Sequence, residues 1–132
     1  PNSELFLIMG YDNLLDLDLW KESRKIMKRF HILVASRPNQ KSFFPKNKVL
    51  GLFNGDSPYY LDKTENETWG FLHRETGSKL VVFKIIPRDI SSSAVREKIA
   101  NGKSTKNLLP PKVEEYIIRH QVYQTKLQLN IE

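Results

Sequence analysis

The stretch Ile90-Ser-Ser-Ser-Ala-Val-Arg96 joins a predicted strand to a predicted helix. The run Lys79–Ile86 before it is rich in β-branched and aromatic residues, and Pro87 ends it, which predicts a buried strand. After the serines, residues 94–101 have the character of a short helix, and Gly102 ends it. The sequence therefore predicts a strand, a serine-rich turn and a helix start, in that order.

The start of this helix suits a phosphate group. The free backbone N–H groups of a first helical turn, together with the positive end of the helix dipole, attract anions. Ser92 and Ser93 add hydroxyl donors, and Arg96, one turn into the helix, adds a guanidinium. Serine is also a favoured N-cap, and on this turn alone capping is the commoner role.

Composition bounds the class of protein. The 132 residues predict one domain, and 39% hydrophobic with 27% charged residues is ordinary for a globular chain. Cysteine is absent, which excludes disulfides and thiolate metal sites. With no apolar run near about 18 residues and no visible signal peptide, we expect a cytoplasmic protein, or a nuclear one in a eukaryote. The net charge of +6 favours anionic partners.

A short apolar run near the start, residues 4–9, predicts an internal parallel strand that ends at Gly10. Ligands of open α/β sheets bind outside the carboxyl ends of the strands, and glycine lets a ligand approach the backbone closely. Asp12, two residues on, either caps the next helix or holds a ribose or a metal.

Residues 13–30 have irregular helical periodicity with a basic face, which favours a solvated helix surface, and Asp18 is a candidate cap for a second helical segment. Trp20 is either a core residue or a stacking platform. A second strand, residues 31–35, is followed by Arg37, which is either a surface arginine or an anion contact at a strand's carboxyl end.

The middle of the chain, residues 39–78, is interpreted as an irregular insertion because prolines and glycines mark turns in it. Two short strands are predicted inside it, over residues 48–53 and 68–73. Pro110-Pro111 opens a last helix, and residues 124–132 form a polar tail. No histidine has metal-ligand spacing, and we see neither a nucleophilic triad nor a glycine-rich nucleotide fingerprint.

These motifs together resemble the nicotinamide/nicotinate mononucleotide adenylyltransferases. The stretch 90–96 is similar to the family's I-S-S-T-x-I-R motif. Gly10, Asp12 and Trp20 match its G-x-D segment and tryptophan, and Arg37-Pro38 resembles its R-P turn. The remaining matches follow the family's closing pattern and comprise Gly102, Ser104, Leu108, Leu109, Pro110, Val113, Tyr116, Ile117, His120, Val122 and Tyr123.

The departures from the family also carry information. Ser93 replaces threonine and keeps the hydroxyl, Val95 replaces isoleucine, and Pro111 stands where the family often has aspartate. The family opens with a glycine-rich turn and an H-x-G-H pair, and this chain has no such motif. It resembles the C-terminal half of the enzyme, so we expect it to be incomplete for catalysis unless another chain supplies the N-terminal half.

The resemblance implies an α/β, Rossmann-like nucleotidyltransferase fold, a parallel sheet flanked by helices, over one domain of residues 1–132. It implies adenylyl transfer from ATP, accompanied by Mg²⁺, to a pyridine mononucleotide, whether nicotinate or nicotinamide. By resemblance, Ser92, Ser93 and Arg96 bind ATP phosphates. The nucleotide-binding set is Gly10 and Asp12 at the adenosine and ribose, Trp20 on the pyridine ring, and Arg37.

Two other functions stay open on the sequence. A related nucleotidyltransferase, acting on phosphopantetheine or cytidylyl substrates, shares the fold and a serine-rich motif. A non-catalytic basic module that binds nucleotides, nucleic acid or a protein fits the net charge and the absent H-x-G-H. The resemblance favours ATP and a pyridine mononucleotide as partners over nucleic acid or a membrane, and it allows an oligomer.

Overall fold

The computed structural model describes residues 2–37, 42–86, 88 and 90–124. Contacts within the chain divide it into two compact units, Pro1–Pro87 and Arg88–Glu132. The single domain over residues 1–132 stays a prediction. Pro38, Pro87 and the predicted tail beyond Gln124 lie outside the described residues. Within the described part, none of the helices has the length and apolar character that a bilayer crossing requires.

The first unit is built on one five-stranded sheet with the spatial order β1-β2-β5-β4-β3. Its strands are Phe6–Gly10 (β1), His31–Ser36 (β2), Tyr59–Glu65 (β3), Thr68–His73 (β4) and Lys79–Lys84 (β5). The strands β1, β2 and β5 are parallel, as predicted, whereas β4 and β3 run antiparallel beside them. The predicted α/β class is therefore confirmed, with a sheet that is mixed.

The antiparallel part of the sheet follows from a tight hairpin turn. Asn66 and Glu67 join β3 to β4, and both have positive φ, 47° and 57°. This conformation gives a hairpin turn whose twist matches that of the strands. A two-residue turn of this kind leaves no room for the crossover that a parallel pair needs.

The predicted helical region after β1 consists of three short elements. They are the helix Tyr11–Leu15 (α1), a 3₁₀ turn over Leu17–Leu19 and the helix Ser23–Arg29 (α2). The suggested capping role of Asp18 is wrong, because α2 follows Glu22 and Asp18 accepts a hydrogen bond from the Phe53 backbone N–H at 3.1 Å instead. Asp18 therefore links this region to a distant turn.

The segment predicted to be irregular is more regular in its described residues. The strand predicted over residues 68–73 is confirmed as β4. The strand predicted over residues 48–53 is wrong, since the helix Pro45–Leu50 (α3) and a 3₁₀ turn over Leu52–Gly55 lie there. Pro45 suits the first helical position, and the buried Pro45, Val49 and Leu52 have helical spacing.

The core of the first unit lies on one face of the sheet. Alternate strand residues such as Ile32, Val34 and Val82 are buried there against Leu14 of α1 and Met27 of α2. Burying an aliphatic side chain of this size contributes roughly 1.5–3 kcal/mol. The helices are therefore held to the sheet mainly by apolar burial, which fixes the chain as it leaves the carboxyl ends of β1 and β2.

The second unit contains the two helices that the sequence predicts there. They are Ser92–Ala100 (α4) and Pro111–Arg119 (α5). Between them Thr105 is buried, and its Oγ1 donates a hydrogen bond to Glu114 Oε1 at 2.9 Å. This bond ties the loop after α4 to the first turn of α5.

Candidate functional site

The three serines of the turn before α4 have different roles, which the sequence does not reveal. Ser91 is the N-cap of α4, and its hydroxyl oxygen accepts a hydrogen bond from the Ala94 backbone N–H at 3.1 Å. Capping is therefore the role of Ser91, which the sequence prediction did not assign. The serine-rich run indicates a cap but not which serine forms it, because by residue type each of the three adjacent serines is equally suitable.

Ser92 and Ser93, the predicted phosphate donors, are exposed at the start of α4. Arg96 is exposed as well, and its Nη2 donates a hydrogen bond to Ser93 Oγ at 3.4 Å. The structure thus brings the side chains of Ser93 and Arg96 together. Because Ser91 caps the helix, the hydroxyls of Ser92 and Ser93 can donate hydrogen bonds to another group.

A hollow of about 270 Å³ opens beside this turn within the second unit. Its polar lining comes from Ser91, Ser92 and Arg96. Its apolar lining comes from Ile90, Val95, Leu109, Val113, Ile117 and Tyr123. A ligand here would meet hydroxyl and guanidinium donors together with an apolar wall, the mixture common to small-molecule sites.

Gly10 and Asp12 lie where β1 ends. The helix α1 begins at Tyr11 and Gly10 is its N-cap residue, so Asp12 lies inside the first turn and the capping role proposed for it is wrong. A Cβ at position 10 would lie 2.5 Å from Asp12 Oδ1, so the carboxylate occupies the space above the glycine. Asp12 is exposed and available to a ligand.

Arg37 and Gly10 lie at the same end of the sheet, where the carboxyl ends of β1 and β2 are. Gly10 pairs with Ala35 across the parallel strands β1 and β2, and Arg37 follows the end of β2. Its side chain is exposed. Because parallel strands present their carboxyl ends together, the structure brings these two predicted residues to one edge.

Trp20 follows the 3₁₀ turn over Leu17–Leu19 and is half-buried against the core of the first unit. Part of the indole thus packs inside and part remains accessible. This position is compatible with both roles that the sequence left open, and the pyridine contact stays a prediction.

Tyr11 supports the β1 turn, and the sequence analysis missed it. It is buried, its hydroxyl accepts a hydrogen bond from the Phe44 backbone N–H at 3.2 Å, and burial raises the pKa of the phenol. Its ring lies 5.0 Å from that of Phe43. These contacts hold the turn between Gly10 and Asp12 against the segment that enters α3, and no sequence pattern indicates so distant a pair.

Three cations of the basic face around α2 form ion pairs. Lys25 pairs with Glu22 and Lys28 with Glu75, each at 2.6 Å. Arg24 pairs with Asp56 at 3.0 Å and lies 3.8 Å from the centre of the Phe53 ring. Three of the cations on this face thus have acidic partners within the first unit.

Comparison with known proteins gives several relatives of one name. A probable nicotinate-nucleotide adenylyltransferase of Shewanella woodyi is 31% identical over 125 residues, covering 95% of this chain and 55% of the relative. The chain is a homologue of proteins that carry this name. Proteins of the same name from Pelobacter propionicus and Buchnera aphidicola are 31% and 32% identical, over 93% and 91% of this chain and 54% and 51% of their own lengths. No protein-family model matches the chain.

The predicted resemblance to the adenylyltransferases is thereby confirmed. The chain spans about half the length of these relatives, which agrees with the prediction that it corresponds to part of such an enzyme.

Proposed function

We propose that this chain is part of an adenylyltransferase of NAD biosynthesis, which joins the AMP portion of ATP to nicotinate mononucleotide. The products are deamido-NAD and pyrophosphate. The observation that carries the proposal is the similarity, over nearly the whole chain, to proteins named for this activity. The exposed serine and arginine donors at the start of α4 support it.

Nicotinate mononucleotide is the proposed acceptor because the relatives are named for the nicotinate nucleotide. The nicotinate and nicotinamide compounds differ only in a carboxylate against a carboxamide. A site built to bind one of these groups leaves polar partners unpaired with the other, which is a strong basis for discrimination.

The reaction needs no nucleophile from the protein. A phosphate oxygen of the mononucleotide attacks the α-phosphorus of ATP and forms a new P–O bond. The bond from that phosphorus to the oxygen bridging to the β-phosphate breaks, and pyrophosphate leaves with the electron pair. The protein has to align the reactants and stabilise charge on the phosphates.

We assign the ATP phosphates to Ser92, Ser93 and Arg96. Two exposed hydroxyls and a guanidinium within one helical turn supply charge-assisted donors, and the free N–H groups of α4 lie beside them. Magnesium arrives as part of the Mg–ATP substrate, since this ion is held largely by phosphate oxygens and water.

We assign the nucleoside contacts to the residues around the carboxyl ends of β1 and β2. Gly10 gives close backbone approach, and the exposed Asp12 carboxylate can accept hydrogen bonds from ribose hydroxyls. Trp20 stacks on the pyridine ring, and Arg37 contributes a cation for a nucleotide phosphate.

Calorimetric titration of this chain with Mg–ATP, deamido-NAD and NAD tests the proposal. We expect saturable binding, with deamido-NAD preferred to NAD. Arg96→Ala should weaken Mg–ATP binding at least tenfold without changing the melting temperature, because Arg96 is exposed. The control Arg119→Ala removes an exposed arginine of α5 and should bind normally. Equal binding by the Arg96 variant would refute its assignment, and absence of binding to all three nucleotides would refute a preformed site in this chain.

A further inference from the structure

The turn between α3 and β3 has a left-handed backbone. Phe53, Asn54 and Gly55 follow one another with positive φ, of 53°, 57° and 91°. The first two carry side chains, for which this conformation is unfavourable. A backbone of this kind persists only where the surrounding structure holds it, so the contacts of this left-handed turn (residues 53–55) are the evidence for its role.

Two side chains from one short segment hold the left-handed turn. Asp18 Oδ2 accepts a hydrogen bond from the Phe53 backbone N–H at 3.1 Å. Arg24 Nη2 donates a hydrogen bond to Asp56 Oδ2 at 3.0 Å, and the guanidinium lies 3.8 Å from the centre of the Phe53 ring. The turn is thus bound through its backbone, through its first side chain and through the residue that follows it.

Trp20 lies in the chain between these two anchors. Its N–H donates a hydrogen bond to the Leu17 carbonyl at 3.3 Å, and its carbonyl accepts one from the Ser23 N–H at 3.1 Å. The Ser23 hydroxyl in turn donates to the Asp18 carbonyl at 3.4 Å. The indole and the Phe53 ring are both partly buried against the same core. The backbone on either side of Trp20 is therefore tied to the left-handed turn.

From these contacts we infer that the left-handed turn is a positioning element for Trp20, with Asp18 and Arg24 as the positioning residues that connect the two. The turn fixes the accessible part of the indole in the orientation in which the aromatic ring of an acceptor nucleotide stacks on it. This inference rests on the proposed function, which assigns the pyridine ring of nicotinate mononucleotide to Trp20. The physical reason is that ordering a side chain on binding costs affinity, so an indole that is already ordered binds better.

The fluorescence of Trp20 tests this inference. Trp69 is the other tryptophan of the chain, so Trp69→Phe leaves Trp20 as the single reporter. In this background Asp18→Ala and Arg24→Ala should each raise the acrylamide quenching constant of Trp20 about twofold, because the segment gains local freedom. Affinity for nicotinate mononucleotide should fall about tenfold, since a misoriented binding group is costly. Affinity for Mg–ATP, whose phosphates are assigned to α4, should remain.

Two further variants control for surface and folding effects. Lys25→Ala removes the neighbouring exposed cation of α2, which pairs with Glu22, and should change neither the quenching constant nor the affinities. Asp18→Asn keeps an acceptor oxygen for the turn and should restore most of the parent's quenching and affinity. Arg24→Ala should remain folded, because an exposed ion pair such as that of Arg24 adds little to stability.

Two results would overturn the inference: quenching of Trp20 that is the same in Asp18→Ala, Arg24→Ala and Lys25→Ala, or affinities for the mononucleotide and for Mg–ATP that fall equally. A parent chain that binds no mononucleotide would instead refute the proposed acceptor site. The quenching constants involve no nucleotide, so in that case they alone decide whether the turn positions Trp20.

Discussion

The Asp12 carboxylate lies over the backbone of Gly10, where a Cβ would be 2.5 Å from Oδ1. The two residues depend on each other at the end of β1, since any side chain at position 10 displaces the carboxylate of Asp12. A Cβ at position 10 would clash only with the end of the Asp12 side chain, which can move, so a substitution of Gly10 should cost little stability. Its main effect should be to displace the Asp12 carboxylate.

Gly10→Ala should therefore weaken nucleotide binding about tenfold, or about 1.4 kcal/mol, while the melting temperature stays nearly constant. Asp12→Asn should weaken binding to a similar degree because it removes the charge from the same place. Calorimetry with deamido-NAD measures both. Gly70→Ala is the control, since a Cβ there makes ordinary contacts at 3.6 Å. Unchanged affinity in Gly10→Ala would contradict the role of this pair.

The serines at the start of α4 should separate into a structural and a ligand-binding group. Ser91→Ala removes the cap and should lower the free energy of unfolding by about 1 kcal/mol. Ser92→Ala leaves the cap in place and should weaken Mg–ATP binding with little effect on stability. Urea unfolding and calorimetry on the two variants check this, and a larger stability loss in Ser92→Ala would reverse the assignment.

Replacing Trp20 should affect the mononucleotide selectively. Trp20→Leu keeps apolar packing against the core and removes the stacking surface, so affinity for nicotinate mononucleotide should fall roughly tenfold to a hundredfold, as for other base–aromatic stacks. Mg–ATP affinity should remain, and Trp20→Phe should restore most of the loss. If both ligands weaken in parallel with the melting temperature, Trp20 is a core residue only.

Asp18 should stabilise the turn at Phe53. Phe53 and Asn54 are both left-handed, with φ of 53° and 57°, and Asp18 accepts the Phe53 N–H. Asp18→Ala leaves that N–H without its partner and should lower the free energy of unfolding by about 1–3 kcal/mol in urea titrations. Asp18→Asn should lose less, and the exposed Asp16→Ala should stay within about 0.5 kcal/mol of the parent.

The stability of the chain should fall as the pH drops below about 6.5, the ordinary pKa of histidine. Burial lowers the pKa of His73, against the opposing Glu75 carboxylate and with some help from Lys28. The unfolded chain then binds more protons than the folded one, so the contribution of neutral His73 is complete above about pH 6.5 and is lost below it.

The structural basis is that His73 Nδ1 accepts hydrogen bonds from the backbone N–H groups of Glu75 and Thr76, at 3.2 and 3.4 Å. Urea unfolding at pH 7.5 and 5.5 measures how far the free energy of unfolding falls between these two pH values. His73→Gln should reduce this fall, whereas the exposed His120→Gln should not. The hydrogen bond and the charge of Lys28 lower the pKa of Glu75 from its ordinary value of 4.5, so the contribution of ionised Glu75 to stability is lost in a separate window, as the pH falls below about 4.5. If the free energy of unfolding of His73→Gln falls as much as that of the parent, His73 is not the origin of the pH dependence.

Local patterns were sufficient for part of this structure. The apolar runs that became β1, β2 and β5 and the Pro110-Pro111 helix start were predictable because short-range periodicity and proline geometry determine them. Residues 68–73, which form β4, were also predictable as a strand. In contrast, residues 48–53 have apolar side chains that fit either a strand or a helix, and only packing against the core selected the helix.

The sequence by itself determined the α/β class, the family resemblance and the residue types at the candidate site, because these depend on composition and on short motifs. Only the tertiary structure decided which serine caps α4, that Asp12 lies over Gly10, and that Asp18 holds Phe53 rather than capping a helix. The identity of the cap and the Asp12 position depend on a helix boundary set to within one residue. The Asp18 contact joins positions 35 residues apart, which no local pattern encodes.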